Sequence, residues 1–144
     1  VDIHVPMIWR VPGMTSAGTR CKSIVEFIDI YPTLCDVCGL EIPAHVEGDS
    51  LTPLFKNPER SWKLAAFSFY PRGGNRLGHS VRAERYHLVR WMDRGTKQEV
   101  AVELYDLETD PHEVVNLAVR PEHAETLDRM RRMQEAGWRG ARPR

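Results

Sequence analysis

Cysteine is scarce in this chain of 144 residues, and several other features that would indicate a class of function are missing. The three cysteines are too few, and odd in number, for a disulfide framework. Twenty basic residues balance twenty acidic ones, so the net charge gives no reason to expect nucleic acid or an anionic membrane as a partner. No apolar run approaches the ~18 residues that a membrane-spanning helix needs. We therefore expect a globular domain with neither kind of partner.

Metal ligands do not form a recognisable site either. None of the six histidines has a second histidine at the helical spacing that zinc sites use. Cys35 and Cys38 have the spacing of a redox or metal pair, but no second pair exists, and we expect both thiols to pack in the core. The acidic residues between Asp106 and Glu113 lack the glycine and the final glutamate of an EF-hand loop. Turn and helix-capping roles are expected for Asp106 and Asp110.

The first 60 residues have the pattern of a strand followed by a helix. Residues 5–12 are short and mostly apolar, which predicts a strand buried on most of its surface. Ser23 and Glu26 have the spacing of a capping box, and Gly39 is a helix stop. Pro32, inside this helix, should kink it. The apolar stripe of the helix is predicted to comprise Ile24, Phe27, Ile28, Tyr31, Leu34, Cys35 and Cys38.

The second half of the chain predicts a small antiparallel sheet. Strands are expected over 64–70 and 99–105, with a hairpin over 79–92. Pro121 begins a closing helix, whose buried stripe should comprise Ala124, Leu127, Met130 and Met133. A buried strand followed by a helix normally belongs to a parallel sheet with neighbours on both sides. Residues 5–12 have no such neighbours in this sequence, and we therefore expect the chain to be a fragment.

Five blocks, in one order along the chain, resemble the sulfatase family. The most specific is residues 104–118, which have the form L-Y-D-x-x-x-D-P-x-E-x-x-N-L. Residues 4–13 contain V-P-x-I-x-x-x-P-G, residues 25–34 contain D-I-Y-P-T-L, and residues 48–51 read G-D-S-L. Residues 67–72 and 78–82 together form the fifth block, which is similar to the iduronate-2-sulfatase branch. Each block alone is weak, but five in this order identify the chain as a member of the family.

The resemblance implies an α/β fold, the C-terminal part of an alkaline-phosphatase-like sulfatase. Residues 1–60 would be the end of the large domain, with one large-sheet strand and a helix. Residues 61–144 would be the small antiparallel subdomain with its terminal helix. The implied reaction is hydrolysis of a sulfate ester, on a sulfated small molecule or sugar, by a formylglycine nucleophile with a bound Ca²⁺ ion.

The family makes that nucleophile in a C/S-x-P-x-R motif, which this chain lacks. No cysteine has proline two positions further on, and Ser68 precedes Pro71 and Arg72 at the wrong offsets. The Ca²⁺ ligands would also lie outside this chain. We therefore expect no catalytic residue and no metal ligand here, no turnover by the chain alone, and a requirement for the N-terminal sulfatase portion.

A basic, glycine-containing segment is the candidate substrate-binding site. Its residues are Arg72, Asn75, Arg76 and His79, expected in a flexible loop that enters a strand. The planar guanidinium groups could bind a carboxylate or a sulfate. The alternative is a solvated hairpin with ordinary surface arginines. In the iduronate-2-sulfatase branch the connection between these blocks is longer, so a different cleft is expected.

Two other functions stay open on the sequence. An exposed sheet edge at residues 5–12 would invite strand pairing, as in a non-catalytic domain that binds an anion or a partner protein. A related phosphonate or phosphate monoesterase would share the architecture, and its distinguishing nucleophile motif would lie upstream.

Overall fold

The computed structural model describes residues 4–143 and divides into two compact units. One unit contains residues 5–63 with Arg142 and Pro143, and the other contains His4 and residues 64–141. The first has a 3₁₀ turn, Phe27–Asp29, and two helices, α1 (Ile30–Val37) and α2 (Thr52–Lys56). The second has four strands, a 3₁₀ turn at Pro121–His123 and helix α3; the elements are β1 (Ala65–Arg72), β2 (Arg76–Ala83), β3 (Tyr86–Asp93), β4 (Glu99–Asp106) and α3 (Ala124–Ala141). No helix within residues 4–143 is long and apolar enough to cross a membrane.

The strand expected over residues 5–12 does not form. This segment has no strand partner within residues 4–143, and Ile8 is 92% exposed. Backbone groups of a strand must pair with a neighbour, and without one an apolar sequence alone does not make a sheet. Met7 and Trp9 instead pack against a small cluster formed by Leu51, Leu54 and Trp62.

The first helix begins later than expected. The capping box is formed by Glu26 and Asp29, not by Ser23 and Glu26. Pro32 lies in the first turn of α1, where a backbone N–H has no intrahelical partner, so it does not kink the helix. Gly39 ends the helix as predicted, in a left-handed conformation with φ 69°.

The apolar stripe of α1 is only partly buried. Cys35 is buried as expected, together with Pro32 and Thr33, whereas Cys38 is exposed. The predicted core residues Phe27, Ile28, Tyr31 and Leu34 are also exposed. The reason is tertiary, because hydrogen bonds of Asp29 and Thr33 turn the other side of the helix toward residues 49–51, and no surface of the described chain covers the apolar stripe.

Asp29 joins the two family blocks of the first unit. Its carboxylate is fully buried and accepts hydrogen bonds from the backbone N–H groups of Glu26 and Asp49, both at 2.9 Å. Lys63 completes the cluster, with its Nζ 2.6 Å from Asp29 Oδ1. Gly48 is required at this junction, since an added Cβ would overlap the Ile28 carbonyl. The D-x-Y-P-T and G-D-S blocks are therefore parts of one structure.

The second unit is an antiparallel sheet with the order β1-β2-β3-β4. Its strands confirm the predicted ones, and α3 packs on one face of the sheet. The buried core between them consists of Ala65, Val81, Leu88, Leu104, Met130 and Ala141. Leu127 and Met133 pack against this core as predicted, whereas Ala124 is exposed at the start of the helix. The predicted α/β class with a four-stranded antiparallel sheet and a terminal helix is confirmed.

Candidate functional site

The predicted flexible loop is a tight hairpin. Residues 73–75 form the turn, while Arg72 ends β1 and Arg76 begins β2. The register pairs Arg72 directly with Arg76, so their side chains leave the same face of the sheet. Gly74 and Asn75 both have positive φ, 73° and 60°, a conformation that glycine and asparagine adopt more readily than other residues. The structure therefore brings the two arginines together at one end of the sheet.

His79 lies on the other face of the sheet. It is three positions beyond Arg76 on one strand, and alternate residues of a strand face opposite sides. Its ring meets the Phe69 ring edge-on, with centroids 4.8 Å apart. Burial, and then the Arg90 charge, lower the pKa of His79 below its ordinary value. His79 thus contributes no side chain to the face that carries Arg72 and Arg76.

The turn residue Asn75 is anchored to the neighbouring hairpin. Its carbonyl accepts a hydrogen bond of 2.9 Å from the backbone N–H of Arg94. Asp93, which pairs with Arg76 in the sheet, accepts hydrogen bonds from the backbone N–H groups of Gly95 and Thr96. The bond from Thr96 is the main reason that the pKa of Asp93 is lowered. Hydrogen bonds therefore fix both turns at this end of the sheet.

Trp91 forms the floor of the face that carries the arginines. It pairs with Gly78, and a Cβ at Gly78 would lie 2.9 Å from Cζ3 of the indole. Only glycine therefore lets the ring lie across β2. The guanidinium carbon of Arg72 lies 5.0 Å from the centre of the indole, within the range of a cation–π interaction. Trp91 is 9% exposed.

Two residues of β4 hold this indole. Trp91 Nε1–H donates to Glu103 Oε1 at 2.8 Å, and the Tyr105 hydroxyl donates to Glu103 Oε2 at 3.0 Å. Burial, and then the Glu103 carboxylate, raise the pKa of Tyr105 to about 12, so its hydroxyl stays a donor at neutral pH. No motif in the sequence indicated this group. Strand alternation indicates faces, but it does not say which residues of different strands become neighbours.

A second polar line lies further along the same sheet face. The Ser80 hydroxyl is 2.7 Å from His87 Nε2, and His87 Nδ1 is 2.9 Å from Glu113 Oε1. Burial lowers the pKa of His87, so the neutral ring donates from Nδ1 to the carboxylate and accepts from the hydroxyl. Glu113 reaches this position with φ 57°. The line fastens the segment after β4 to the sheet.

The acidic residues after β4 have structural roles. Arg85 donates two hydrogen bonds to the Asp106 carboxylate, at 3.0 and 2.7 Å. Asp110 Oδ2 accepts from the backbone N–H groups of Val114 and Val115. The predicted turn roles are confirmed, because Asp106 Oδ1 also accepts a hydrogen bond from the backbone N–H of Glu108. The predicted helix-capping role is wrong, because among residues 4–143 no helix begins between Asp106 and Pro121.

The Ca²⁺ ion that the family implies finds no fitting ligand set in the described chain. Across residues 4–143 no three His, Cys, Asp or Glu side chains are grouped so that they could hold a metal ion. Asp106, Asp110 and Glu113 are the acidic residues most closely spaced along the chain. Their carboxylates contact Arg85, backbone N–H groups and His87, respectively. We therefore derive no catalytic step through a metal on these residues.

The comparison with known families agrees with the sequence blocks and the sheet. The family described as N-sulphoglucosamine sulphohydrolase, C-terminal, matches residues 2–137. The chain belongs to this family. The sulfatase resemblance of the sequence is thereby confirmed, while the narrower iduronate-2-sulfatase-like assignment stays a prediction.

Individual relatives of this sulphohydrolase C-terminal domain are much longer. Arylsulfatase K of Homo sapiens is 32% identical over 136 residues, which cover 87% of this chain and 24% of that protein. A structure solved in complex with its substrate, D-glucosamine-2-N,6-O-disulfate, is 24% identical, with a TM-score of 0.66 over 75% of this chain and 22% of that chain. The phosphonate monoester hydrolase of Agrobacterium radiobacter is 26% identical, with a TM-score of 0.60 over 75% of this chain and 23% of that chain. The chain thus spans about a quarter of the length of the curated relatives it matches.

Proposed function

We propose that this chain is the C-terminal part of a sulfuric ester hydrolase that acts on a sulfated sugar. The observation that carries the proposal is the match of residues 2–137 to the C-terminal family of a sulphohydrolase whose named substrate, N-sulphoglucosamine, is a sulfated sugar. The catalytic nucleophile and the Ca²⁺ ligands would be supplied by the portion of the enzyme that precedes this one. The chain by itself would have no turnover.

Exposed apolar residues of the first unit support the proposal that another portion of the enzyme packs against this chain. Phe27, Tyr31 and Leu34 are exposed on α1, and Ile8 is exposed in the segment that fails to form a strand. Contiguous exposed apolar side chains mark surfaces that another polypeptide covers. In the proposed enzyme, residues 1–60 complete the large domain, with 5–12 as a strand of its sheet. Residues 61–144 form the small subdomain.

The hairpin end of β1 and β2 is the proposed substrate rim. Arg72 and Arg76 would bind a sulfate or carboxylate group of the sugar, because their guanidinium groups present paired N–H donors to planar or tetrahedral anions. Asn75 would add the side-chain amide of the turn. His79 would act from the opposite face of the strand, by fixing β2 against Phe69. We extend the proposal to an iduronate-2-sulfatase-like specificity, which residues 67–72 and 78–82 support.

A phosphonate monoesterase is the second candidate. It is favoured by one observation, the similarity in fold to a phosphonate monoester hydrolase at 26% identity. The two candidates share this C-terminal architecture and differ in the chemistry of the catalytic portion. The fold of this chain is therefore compatible with either.

The experiment is to characterise the protein from its native source by intact mass, sequence and turnover. We expect a polypeptide about four times as long, from the 24% coverage of the relatives, with a C/S-x-P-x-R motif upstream. Such a protein should hydrolyse 4-methylumbelliferyl sulfate faster than a phenylphosphonate ester. The reverse preference would replace the proposal by the second candidate. A native protein without an upstream nucleophile would replace it by a non-catalytic binding domain. Sulfatase activity of the 144-residue chain with added Ca²⁺ would contradict the predicted inactivity.

A further inference from the structure

We infer that Trp91, Glu103 and Tyr105 are positioning residues, which hold Arg72 so that Arg72 and Arg76 form a preorganised site for a sulfate group. The inference rests on the proposed function and extends it. The hairpin is the proposed substrate rim, and these three side chains would make the rim selective for a sulfate group. None of the three touches the anion, and each acts through Arg72.

The first step is the placement of the indole under Arg72. Trp91 projects from β3 across Gly78 of β2, and its ring ends beneath the last residue of β1. A guanidinium group stacked on an aromatic face keeps the N–H groups at its edge available for an anion. An arginine free in solvent must instead lose rotamer freedom when it binds. Stacking on Trp91 removes part of that cost in advance.

The second step is the fixing of the indole itself. Glu103 uses both carboxylate oxygens, one for Trp91 Nε1–H and one for the Tyr105 hydroxyl. The indole therefore cannot slide along the sheet without breaking a hydrogen bond to a charged acceptor. Bonds of this kind are stronger than those between neutral groups.

The third step is the pairing of the two cations. Arg72 and Arg76 are cross-strand partners on the same face, where like charges repel unless an anion lies between them. Both side chains are exposed at this end of the sheet. Asp93 neighbours Arg76, but its Oδ1 already accepts hydrogen bonds from the β3–β4 turn. A tetrahedral sulfate would meet N–H donors from two guanidinium groups, and one of these groups is already oriented.

The experiment measures binding of N-sulfoglucosamine to the full chain by NMR, with N-acetylglucosamine as the unsulfated control. Binding is followed through the signals of Arg72 Nε–H and Trp91 Nε1–H. The nuclear relaxation of Arg72 Nε is measured as well, because it reports how ordered that side chain is. We expect Arg72→Ala to weaken binding by about 10-fold or more, as for loss of a charge-assisted hydrogen bond. Trp91→Phe, Glu103→Gln and Tyr105→Phe should weaken it by about 2- to 10-fold, as for loss of an oriented cation–π contact.

Matched controls separate positioning from general effects. Arg132→Ala removes an exposed positive charge from α3, and Glu84→Gln removes an exposed carboxylate at the β2–β3 turn. Both should bind the probe like the parent chain. Tyr105→Phe removes a single hydroxyl and so keeps the test available if Trp91→Phe fails to fold.

The outcomes distinguish the inference from the proposed function. If Arg72→Ala abolishes binding while the Trp91, Glu103 and Tyr105 variants bind normally and leave Arg72 Nε ordered, the inference is wrong and the rim stands. If the chain binds both sugars equally or neither, the sulfate site is wrong, while the proposed hydrolase is still judged by turnover of the native protein. Weaker binding together with a more mobile Arg72 Nε in those variants supports the inference.

Discussion

Lys63 is the cation of a buried charge cluster, and its removal provides a sharp test of how the first unit is held together. The Nζ atom lies 2.6 Å from Asp29 Oδ1 and 2.8 Å from Glu26 Oε2. The side chains of Lys63 and Asp29 are 4% and 0% exposed. Lys63→Met keeps the length and the apolar stem of the side chain but removes the charge. The fully buried Asp29 carboxylate would then lose the cation that it contacts.

The expected cost is large because a buried charge without its partner is strongly unfavourable. Removal of one member of a buried ion pair costs about 3–5 kcal/mol in free energy of unfolding. The whole stability of a typical domain is about 5–15 kcal/mol. Asp29 would keep its hydrogen bonds from Glu26 N–H and Asp49 N–H, which favours the lower end of that range. Lys63→Met should therefore remove a large fraction of the stability of this unit.

A double-mutant cycle checks the physical reason for the loss. Asp29→Asn removes the central negative charge, so the double variant Asp29→Asn/Lys63→Met should lose less than the sum of the two single losses. We expect a coupling of at least about 1 kcal/mol between the two positions, as for residues in direct contact. Lys56→Met is the control, because Lys56 is exposed on α2 and surface changes stay within about 0.5 kcal/mol.

The assay is urea unfolding combined with hydrogen exchange of the amides of Thr33 and Leu51. These amides report on the first unit, whereas tryptophan fluorescence would mix both units, because each unit contains two tryptophans. A loss for Lys63→Met no greater than that of the Lys56→Met control would refute the argument, and so would strictly additive losses in the cycle.

Two further predictions concern single positions. Gly48→Ala should destabilise the first unit by about 1–3 kcal/mol, the usual cost of overpacking, because the new Cβ overlaps the Ile28 carbonyl. The control Gly73→Ala should be nearly neutral, because there is open space around Gly73. Equal unfolding midpoints for the two variants would contradict this prediction. Burial lowers the pKa of His87 below the ordinary 6.5. As the pH falls below 6.5, the unfolded chain therefore binds a proton at this position before the folded chain does. The folded state loses stability relative to the unfolded chain until the pH reaches the folded-state pKa. His87→Gln should flatten the pH dependence of the free energy of unfolding in that acidic range. The control His112→Gln, at an exposed position, should leave it unchanged. Identical pH profiles for the parent chain and both variants would contradict this prediction.

Much of the second unit could be predicted from the sequence because its signals are local. Alternating apolar residues predicted the strands, and apolar residues at helical spacing predicted that Leu127, Met130 and Met133 face the core. The family blocks predicted the assignment that the match of residues 2–137 confirms. The turn role of Asp110 also follows from residues close to it in the chain. Local patterns of this kind depend little on what the rest of the molecule does.

The errors in the first unit share one physical cause. Residues 5–12 have the composition of a buried strand, but a strand exists only when another strand pairs with it. The stripe through Phe27, Tyr31 and Leu34 has the spacing of a buried face, but burial needs a surface to pack against. Composition and period describe what a segment can do, and the presence of a partner decides whether it does so.

The sequence by itself determined the family, the sheet with its closing helix, and the absence of the nucleophile motif. Each of these depends on short motifs or on periodic patterns among residues that are near one another along the chain. Only the tertiary structure decided that His79 faces away from Arg72 and Arg76, and that Trp91 lies across Gly78 under Arg72. It also decided that Asp29 joins Lys63, 34 residues away. These contacts depend on strand register and on packing between distant segments, which no local pattern specifies.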